Sequence, residues 1–345
     1  MCAKGKCMIK KNMIFIGHEY HLRTKSTRFL IDLFARDYDV DEATYDMEID
    51  RFDIKTGEAK EQYDILVLFQ MLVLPTVIKK RFKYKKAAYF PMYDMSLYTN
   101  DAFWIEYKDF NIINFSSTLH KRLAGLGLSS YFIQYYPSPM DANIMGSTEN
   151  AFFWQRIDTL AINKIAPLLS QLDIKNIHLH IASDPGHGEP KPSNDQKETF
   201  NFTTSTWFET KEEMLEVINN SAYYVAPRVY EGIGMSFLEA MAMGRCVIAV
   251  NHPTMNEYII DGENGLLYDY ESPQIHNPDD VRRIQKNAHE SIVKGYAAWE
   301  RDKHKILEWL DSSVQVNLIT ANSFNWNRLL AFPKRAIKKL LRKFR

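Results

Sequence analysis

The chain has 345 residues, of which 46% are hydrophobic and 25% charged, with a formal net charge of zero and three cysteines. That length favours two domains over a single core, and the composition is that of an ordinary soluble globular protein. Three cysteines, two of them at Cys2 and Cys7, exclude a disulfide framework and suit a reducing cytosol.

The opening MCAKGKCMIKKNMIFIG is basic, but its apolar stretch runs only from Met13 to Ile16, so no secretory signal is expected. Residues 13–17 read as a short strand. Residues 24–36 read as a helix with Phe29, Leu30, Leu33 and Phe34 on one face. The most apolar run, ILVLFQMLVLPTVI at 65–78, is interrupted by Gln70 and Pro75 and falls well short of the roughly 20 residues that span a bilayer. It is expected to form a buried strand over 65–69 and a basic helix over 75–82. Strands at 87–91 and 112–115, a helix at 117–126 and a strand at 131–136 complete this half. Apolar strand runs alternating with helical spacing predict a parallel sheet.

The segment YPSPMDANIMGSTEN, residues 136–150, is rich in Pro, Ser, Asn and Gly and reads as a linker and natural hinge. The pattern then restarts with a strand at 151–154, a helix at 158–172, a strand at 177–182, a polar loop at 183–197 and a helix at 211–219. Residues 278–310 form a long, charged amphipathic segment. The predicted organisation is an α/β domain over residues 1–140, a second over 141–315, and a basic tail over 316–345. The two domains are expected to face each other across a cleft.

Chemistry concentrates in RVYEGIGMSFLEAMAMGRCVIAV, residues 228–250. Apolar, β-branched runs at 222–226 and 246–250 enclose a glycine turn and a short helix at 235–243, one unit of a parallel α/β sheet. Ligands bind such units at the carboxyl ends of the strands, beside the helix N-terminus. Unpaired amides at Ile233, Gly234, Met235 and Ser236, with the helix dipole, suit an anion such as phosphate. Gly232 and Gly234 let a ligand approach the backbone. Glu231 projects toward the group attached to that phosphate, and Glu239 is placed to accept from a vicinal diol such as a ribose. The structural alternative is that Glu239 answers the helix dipole, while Leu238, Ala240 and Met241 are core.

The longer stretch APRVYEGIGMSFLEAMAMGRCVIAVNHPTMNEYIIDGENGLLYD closely resembles the nucleotide-sugar-binding half of retaining glycosyltransferases with the GT-B fold. Glu231, Gly232, Gly234, Glu239, Ala240, Ala242, Gly244, Val247, Ile248, Glu257, Asp261, Gly262, Asn264 and Gly265 match that family's pattern in order. The resemblance implies two Rossmann-like domains. It also implies that Glu231 contacts the donor sugar's hydroxyls and Glu239 the ribose, with the amides around Gly234, Met235 and Ser236 holding the diphosphate or the sugar. Arg156, in NAFFWQRIDTLAINKIAPLL, fits the arginine that neutralises the donor diphosphate. The lysine expected five positions on is Ala161 here, and Lys164, Arg228 or Lys25 is left to replace it.

In the first domain, the loop IGHEYHLRTKSTRFLIDLF carries Gly17 alone where the family shows two glycines. His18, Glu19, His21, Thr24, Lys25 and Ser26 follow, either as acceptor or phosphate contacts or as a helix start capped by Thr24 or Ser26. Asp94, in AAYFPMYDMS, stands near where many family members carry a histidine beside the transferring sugar. It is read as a base for the acceptor hydroxyl or as a capping aspartate. His178 and His180 alternate on one strand without a carboxylate or cysteine cluster, which favours packing over a metal site. Basic residues are confined to the tail and to KKRFKYKK at 79–86, without a nucleic-acid motif.

The expectation is a metal-independent, retaining, hexosyltransferase-type glycosyltransferase, with Glu231 and Asp94 as catalytic residues. Arg156, Arg228, Gly232, Gly234, Met235, Ser236, Glu239 and Lys25 are the expected donor contacts. The donor is a nucleotide-diphospho-sugar and no cofactor is expected. The acceptor is a glycan on a lipid carrier, as in surface-polysaccharide assembly. A sugar-nucleotide epimerase, a glycosyl phosphorylase or a catalytically silent partner can share the same shape. In the tail, Ile337, Leu340, Leu341 and Phe344 recur on one helical face amid Lys334, Arg335, Lys338, Lys339, Arg342, Lys343 and Arg345. This predicts a helix on an anionic membrane surface, with the enzyme cytoplasmic and peripheral at the inner face of the membrane. The alternative is a helix that crosses back onto the first domain.

Overall fold

The structure, a computed structural model, describes residues 10–142, 146–184, 186–275, 278 and 280–315. Cys2, Cys7 and the basic tail at 316–345 lie outside the described residues. The chain divides into two compact units, one holding residues up to Ile133 together with the segment from Arg301, the other running from Gln134 to Glu300. Among the described residues no helix is long and apolar enough to cross a membrane.

The first unit opens with β1 (Lys11–Gly17), α1 (Glu19–Thr24), α2 (Arg28–Phe34), β2 (Tyr38–Asp46), β3 (Arg51–Ile54) and β4 (Tyr63–Phe69). It continues with α3 (Pro75–Arg81), β5 (Tyr84–Phe90), α4 (Tyr93–Ser96), α5 (Asp101–Ile105), β6 (Asn111–Asn114), α6 (Ser117–Gly125) and β7 (Ser130–Phe132). Its sheet runs β3-β2-β1-β4-β5-β6-β7 and is parallel except for the β2–β3 hairpin. β1 sits centrally, with Ile14 opposite Leu66 and Phe15 opposite Val67. Alternation along the strands sends Ile14, Ile16, Leu66 and Leu68 into one core layer. Phe15 goes to the other face, against Phe34 and Phe69. Helical cover on both faces is why these strands read as unbroken apolar runs.

The second unit follows as β8 (Ser147–Gln155), α7 (Ile162–Gln171), β9 (Asn176–Ile181), α8 (Asn194–Thr199), β10 (Asn201–Ser205), α9 (Lys211–Asn219) and β11 (Ser221–Val225). Then come α10 (Met235–Ala242), β12 (Cys246–Val250), β13 (Leu266–Tyr268) and α11 (Val281–Asp302). Its six strands run β10-β9-β8-β11-β12-β13, all parallel. The chain returns to the first unit with α12 (His304–Asp311). There the Asn111 amide donates to the Trp309 carbonyl at 2.9 Å, and Trp309 stacks on Tyr131 at 5.5 Å.

Two expected helices differ, and further elements appear. The helix expected over 24–36 is two helices, because Lys25 takes a left-handed conformation (φ 55°) that ends α1. The Thr24 hydroxyl turns back to the Tyr20 carbonyl at 3.0 Å, and α2 opens at Thr27 without a side-chain cap, so neither Thr24 nor Ser26 caps it. The helix expected over 158–172 begins as a 3-10 turn, Asp158–Leu160, and α7 starts only at Ile162, whose amide is capped by the Gln155 side chain at 2.9 Å. Strands β2, β3 and β10, and helix α8, which begins inside the expected polar loop and runs past its end, were not expected.

Candidate functional site

In the second sheet, β9 and β10 lie to one side of β8, and β12 and β13 to the far side of β11, so the winding reverses between β8 and β11. Ligands of parallel α/β sheets bind beyond the carboxyl ends of the strands at such a reversal. Arg156 follows β8 directly, and the segment leading to α10 leaves β11 at the same edge.

That segment carries Arg228, Glu231, Gly232 and Gly234. Glu231 is buried, and the Thr254 hydroxyl ties its turn by donating to the carbonyls of Glu231 (2.8 Å) and Gly232 (3.2 Å). Gly234 opens α10 at φ 81°, and a Cβ there would stand 1.9 Å from the Phe237 ring, so the turn requires glycine. The N-cap residue Gly234 supplies no side-chain cap to α10, and the first-turn amides form the donor set that suits a phosphate. On α10, Met235, Ser236 and Glu239 are half-buried while Phe237, Leu238, Ala240, Met241 and Ala242 are buried. Their three- and four-residue spacing puts Met235, Ser236 and Glu239 on one face.

Tyr224, fully buried on β11, reports how these groups converge. Burial pushes its phenol well above the ordinary range, a hydrogen bond with Ser236 opposes this, and the charges of Arg156, Glu239 and Glu231 all reach it. Both glutamates and the first arginine therefore occupy one electrostatic neighbourhood. Arg156 and Arg228 meet on a residue the sequence reading missed, Asp184. Its Oδ1 accepts from Arg156 Nη2 at 2.7 Å and Nε at 3.2 Å, and its Oδ2 accepts from Arg228 Nη2. The Arg156 guanidinium also lies 4.5 Å from the centre of the Trp154 ring. Lys164 lies over the Tyr270 ring at 3.4 Å, and Ala161 is buried at the head of α7.

Several matched residues shape the backbone. Asn264, buried, accepts from the Ile260 amide at 2.7 Å and donates to the Tyr258 carbonyl at 3.1 Å, and Asp261 accepts from the Leu267 amide at 2.8 Å. They close the turn into β13. His178 and His180 stack on Phe152 and Phe208 and share the Ser205 hydroxyl at 2.8 Å each, the packing role expected of them. Burial, with a smaller contribution from His178, pushes His180 down to about 4.

Lys25 and Asp94 belong to the first unit. Lys25 is exposed at the end of α1. Asp94 is buried in the first turn of α4, where Met92 is the N-cap and no side chain caps the helix, and its Oδ1 accepts from the Met95 amide at 2.9 Å. The first sheet reverses between β1 and β4. There His21 meets the Ser26 hydroxyl at 2.8 Å. Burial chiefly, and His18 next, push His21 down to about 4 against a hydrogen bond that the ring donates to Gln70.

Residues 151–276, the stretch that holds Arg156, Asp184, Glu231 and Glu239, match the family model described as "Glycosyl transferases group 1". The second unit is similar to a group 1 glycosyltransferase domain. Among solved structures, a glycosyltransferase from Rickettsia africae ESF-5 is similar with a TM-score of 0.57 and 11% identity, over 88% of this chain and 100% of that one. HepE of Anabaena, solved with UDP and glucose, gives 0.53 and 10%, over 86% of this chain and 99% of that one. TarM gives 0.51 and 17%, over 72% of this chain and 55% of that one, so the match spans about half of TarM. At these identities the likeness is one of fold, and the fold class is GT-B, with two Rossmann-like α/β units. A comparison with curated proteins gives no match.

Proposed function

We propose that the protein is a retaining glycosyltransferase that moves a sugar from a nucleotide-diphospho-sugar to a glycan acceptor. The observation that carries this reading is the grouping of Arg156, Arg228, Glu231, Glu239 and the glycine-led N-terminus of α10 at the reversal of the second sheet. That grouping falls within the stretch matched to group 1 glycosyltransferases. The two arginines and the α10 amides hold the diphosphate, Glu239 accepts from the ribose hydroxyls, and Glu231 accepts from hydroxyls of the donor sugar. HepE was solved with UDP, which makes a uridine nucleotide the first donor to try.

In the reaction the bond from the anomeric carbon to the diphosphate oxygen breaks. The acceptor oxygen bonds on the face the diphosphate leaves, and the acceptor proton passes to the departing phosphate or to Asp94. Arg156, Arg228 and helix dipoles stabilise the charge that develops on the leaving group, so positioning and electrostatics do the protein's share. Lys25 is assigned to the donor's phosphates from the first unit. The acceptor is proposed to be a lipid-linked oligosaccharide of surface-polysaccharide assembly, met at the cytoplasmic face of the membrane through the basic tail.

Product analysis with labelled uridine-diphosphate sugars and candidate lipid-linked acceptors tests the reading. Label appearing in a larger glycan with retained anomeric configuration is the expected result. An altered donor without transfer would replace it with an epimerase, phosphate-dependent release with a phosphorylase, and an inert donor across the panel with a silent partner.

A further inference from the structure

We propose that Asp184 is a positioning residue for the donor diphosphate, fixing Arg156 and Arg228 as one paired cation in place of the arginine–lysine pair the sequence lacks. The inference rests on the donor-site reading above. Asp184 follows β9 and is buried, and its two carboxylate oxygens divide the arginines between them. Arg156 is held side-on through Nε and Nη2, and Arg228 through Nη2. Two guanidinium groups gathered on one carboxylate would otherwise repel, so the shared anion makes the pair tenable before a phosphate arrives.

The carboxylate is itself anchored. The Asp184 amide donates to the Arg156 carbonyl at 2.8 Å, and the Asp184 carbonyl accepts from the His187 amide at 3.1 Å. Arg156 is further seated on Trp154, whose indole N–H donates to the Ala182 carbonyl at 3.1 Å. A carboxylate pinned through its own backbone to the arginine it orients is built as a post, not as a latch that swings aside. Within this unit Lys164 is engaged by the Tyr270 ring, whereas Arg228 shares Asp184 with Arg156.

A post and a latch predict opposite signs. Asp184→Asn removes a negative charge beside an anion site, so a carboxylate that only competed with phosphate would give tighter binding on its loss. A positioning carboxylate gives weaker binding. Calorimetry of the full chain with inorganic pyrophosphate at low salt reads the arginine pair whatever the nucleotide. The expected result is binding about tenfold weaker in Asp184→Asn, partly recovered in Asp184→Glu, with a cooperative melting transition confirming that each variant is folded. Arg228→Gln should weaken binding similarly, and the double variant should lose less than the sum of the two. If Asp184→Asn does not fold, Asp184→Glu carries the test, with weaker binding than wild type expected. Equal or tighter pyrophosphate binding in the folded variant overturns the proposal. Wild-type protein that ignores both pyrophosphate and uridine diphosphate would overturn the donor-site reading beneath it.

Discussion

Glu239 shares its face of α10 with Met235 and Ser236, half-buried above a helix otherwise committed to the core. Placed there, its carboxylate lies on the half-buried face and is suited to a diol, whereas Glu231 is buried in the turn that Thr254 ties. Glu239→Ala is therefore expected to weaken donor binding about ten- to a hundredfold, the scale of losing charge-assisted hydrogen bonds. Glu231→Gln is expected to lower turnover chiefly, with donor affinity nearly kept, because its contact is to the reacting sugar. Calorimetry and initial rates separate the two, and unchanged affinity in Glu239→Ala would remove it from the ribose site. These glutamates were legible in the sequence because their spacing is local. Asp184 was not, because it meets Arg156 across 28 positions and Arg228 across 44, and a loop aspartate reads as solvated until the fold gathers all three.

At the scale of elements, the strands and helices whose apolar pattern is unbroken were legible nearly to the residue: α9 at Lys211–Asn219 and β12 at Cys246–Val250 stand where expected. Strand β2, YDVDEATYD, was hidden because its acids dilute the pattern, and one of them, Asp41, is buried only through its ion pair with Lys60 at 2.6 Å. The same logic of local support governs the glycine turn before α10. Thr254→Val keeps the side-chain shape but strips two buried carbonyls of their donor. A loss of ~1–3 kcal/mol is expected, with weaker donor binding as the turn loosens, measured by denaturant titration and calorimetry. Across the sheet, His180 lies buried between Phe152 and Phe208, held down from its ordinary 6.5 to about 4. The unfolded chain binds its proton more readily, so this histidine costs no stability above pH 6.5 and lowers it as pH falls toward 4, by ~2–3 kcal/mol. His180→Phe, which keeps the stack, should flatten the fall in urea midpoint between pH 7 and pH 5. An unchanged slope would show that acid sensitivity lies elsewhere.

At the scale of the whole chain, a mostly parallel and an all-parallel sheet each reverse beside their first strand, and each reversal gathers polar side chains at its carboxyl edge. What the chain does with its strongest charge asymmetry is a separate matter, for the eight Lys and Arg from Arg328 to Arg345 lie outside the described residues. The second basic stretch, residues 79–86, is partly committed within the first unit. Lys79 meets Asp109 at 3.5 Å, Lys85 meets Asp64 at 2.7 Å, and Lys86 meets the Asp311 carbonyl. That shifts the burden of any membrane contact onto the tail. In the sequence, six of its basic residues, Lys334, Arg335, Lys338, Lys339, Arg342 and Lys343, alternate with Ile337, Leu340, Leu341 and Phe344. At ~1 kcal/mol each near an anionic surface, they would hold the protein there reversibly even after screening. Sedimentation with anionic and neutral vesicles tests this on the full chain and on a variant ending at Ser323. The full chain should bind anionic vesicles, lose them as salt is raised, and ignore neutral ones. The truncated variant should lose the vesicles while binding the donor as before, since every proposed donor contact precedes residue 240. Full-length protein that ignores anionic vesicles at low salt would end the membrane reading. Truncation that abolishes donor binding as well would assign the tail to the fold.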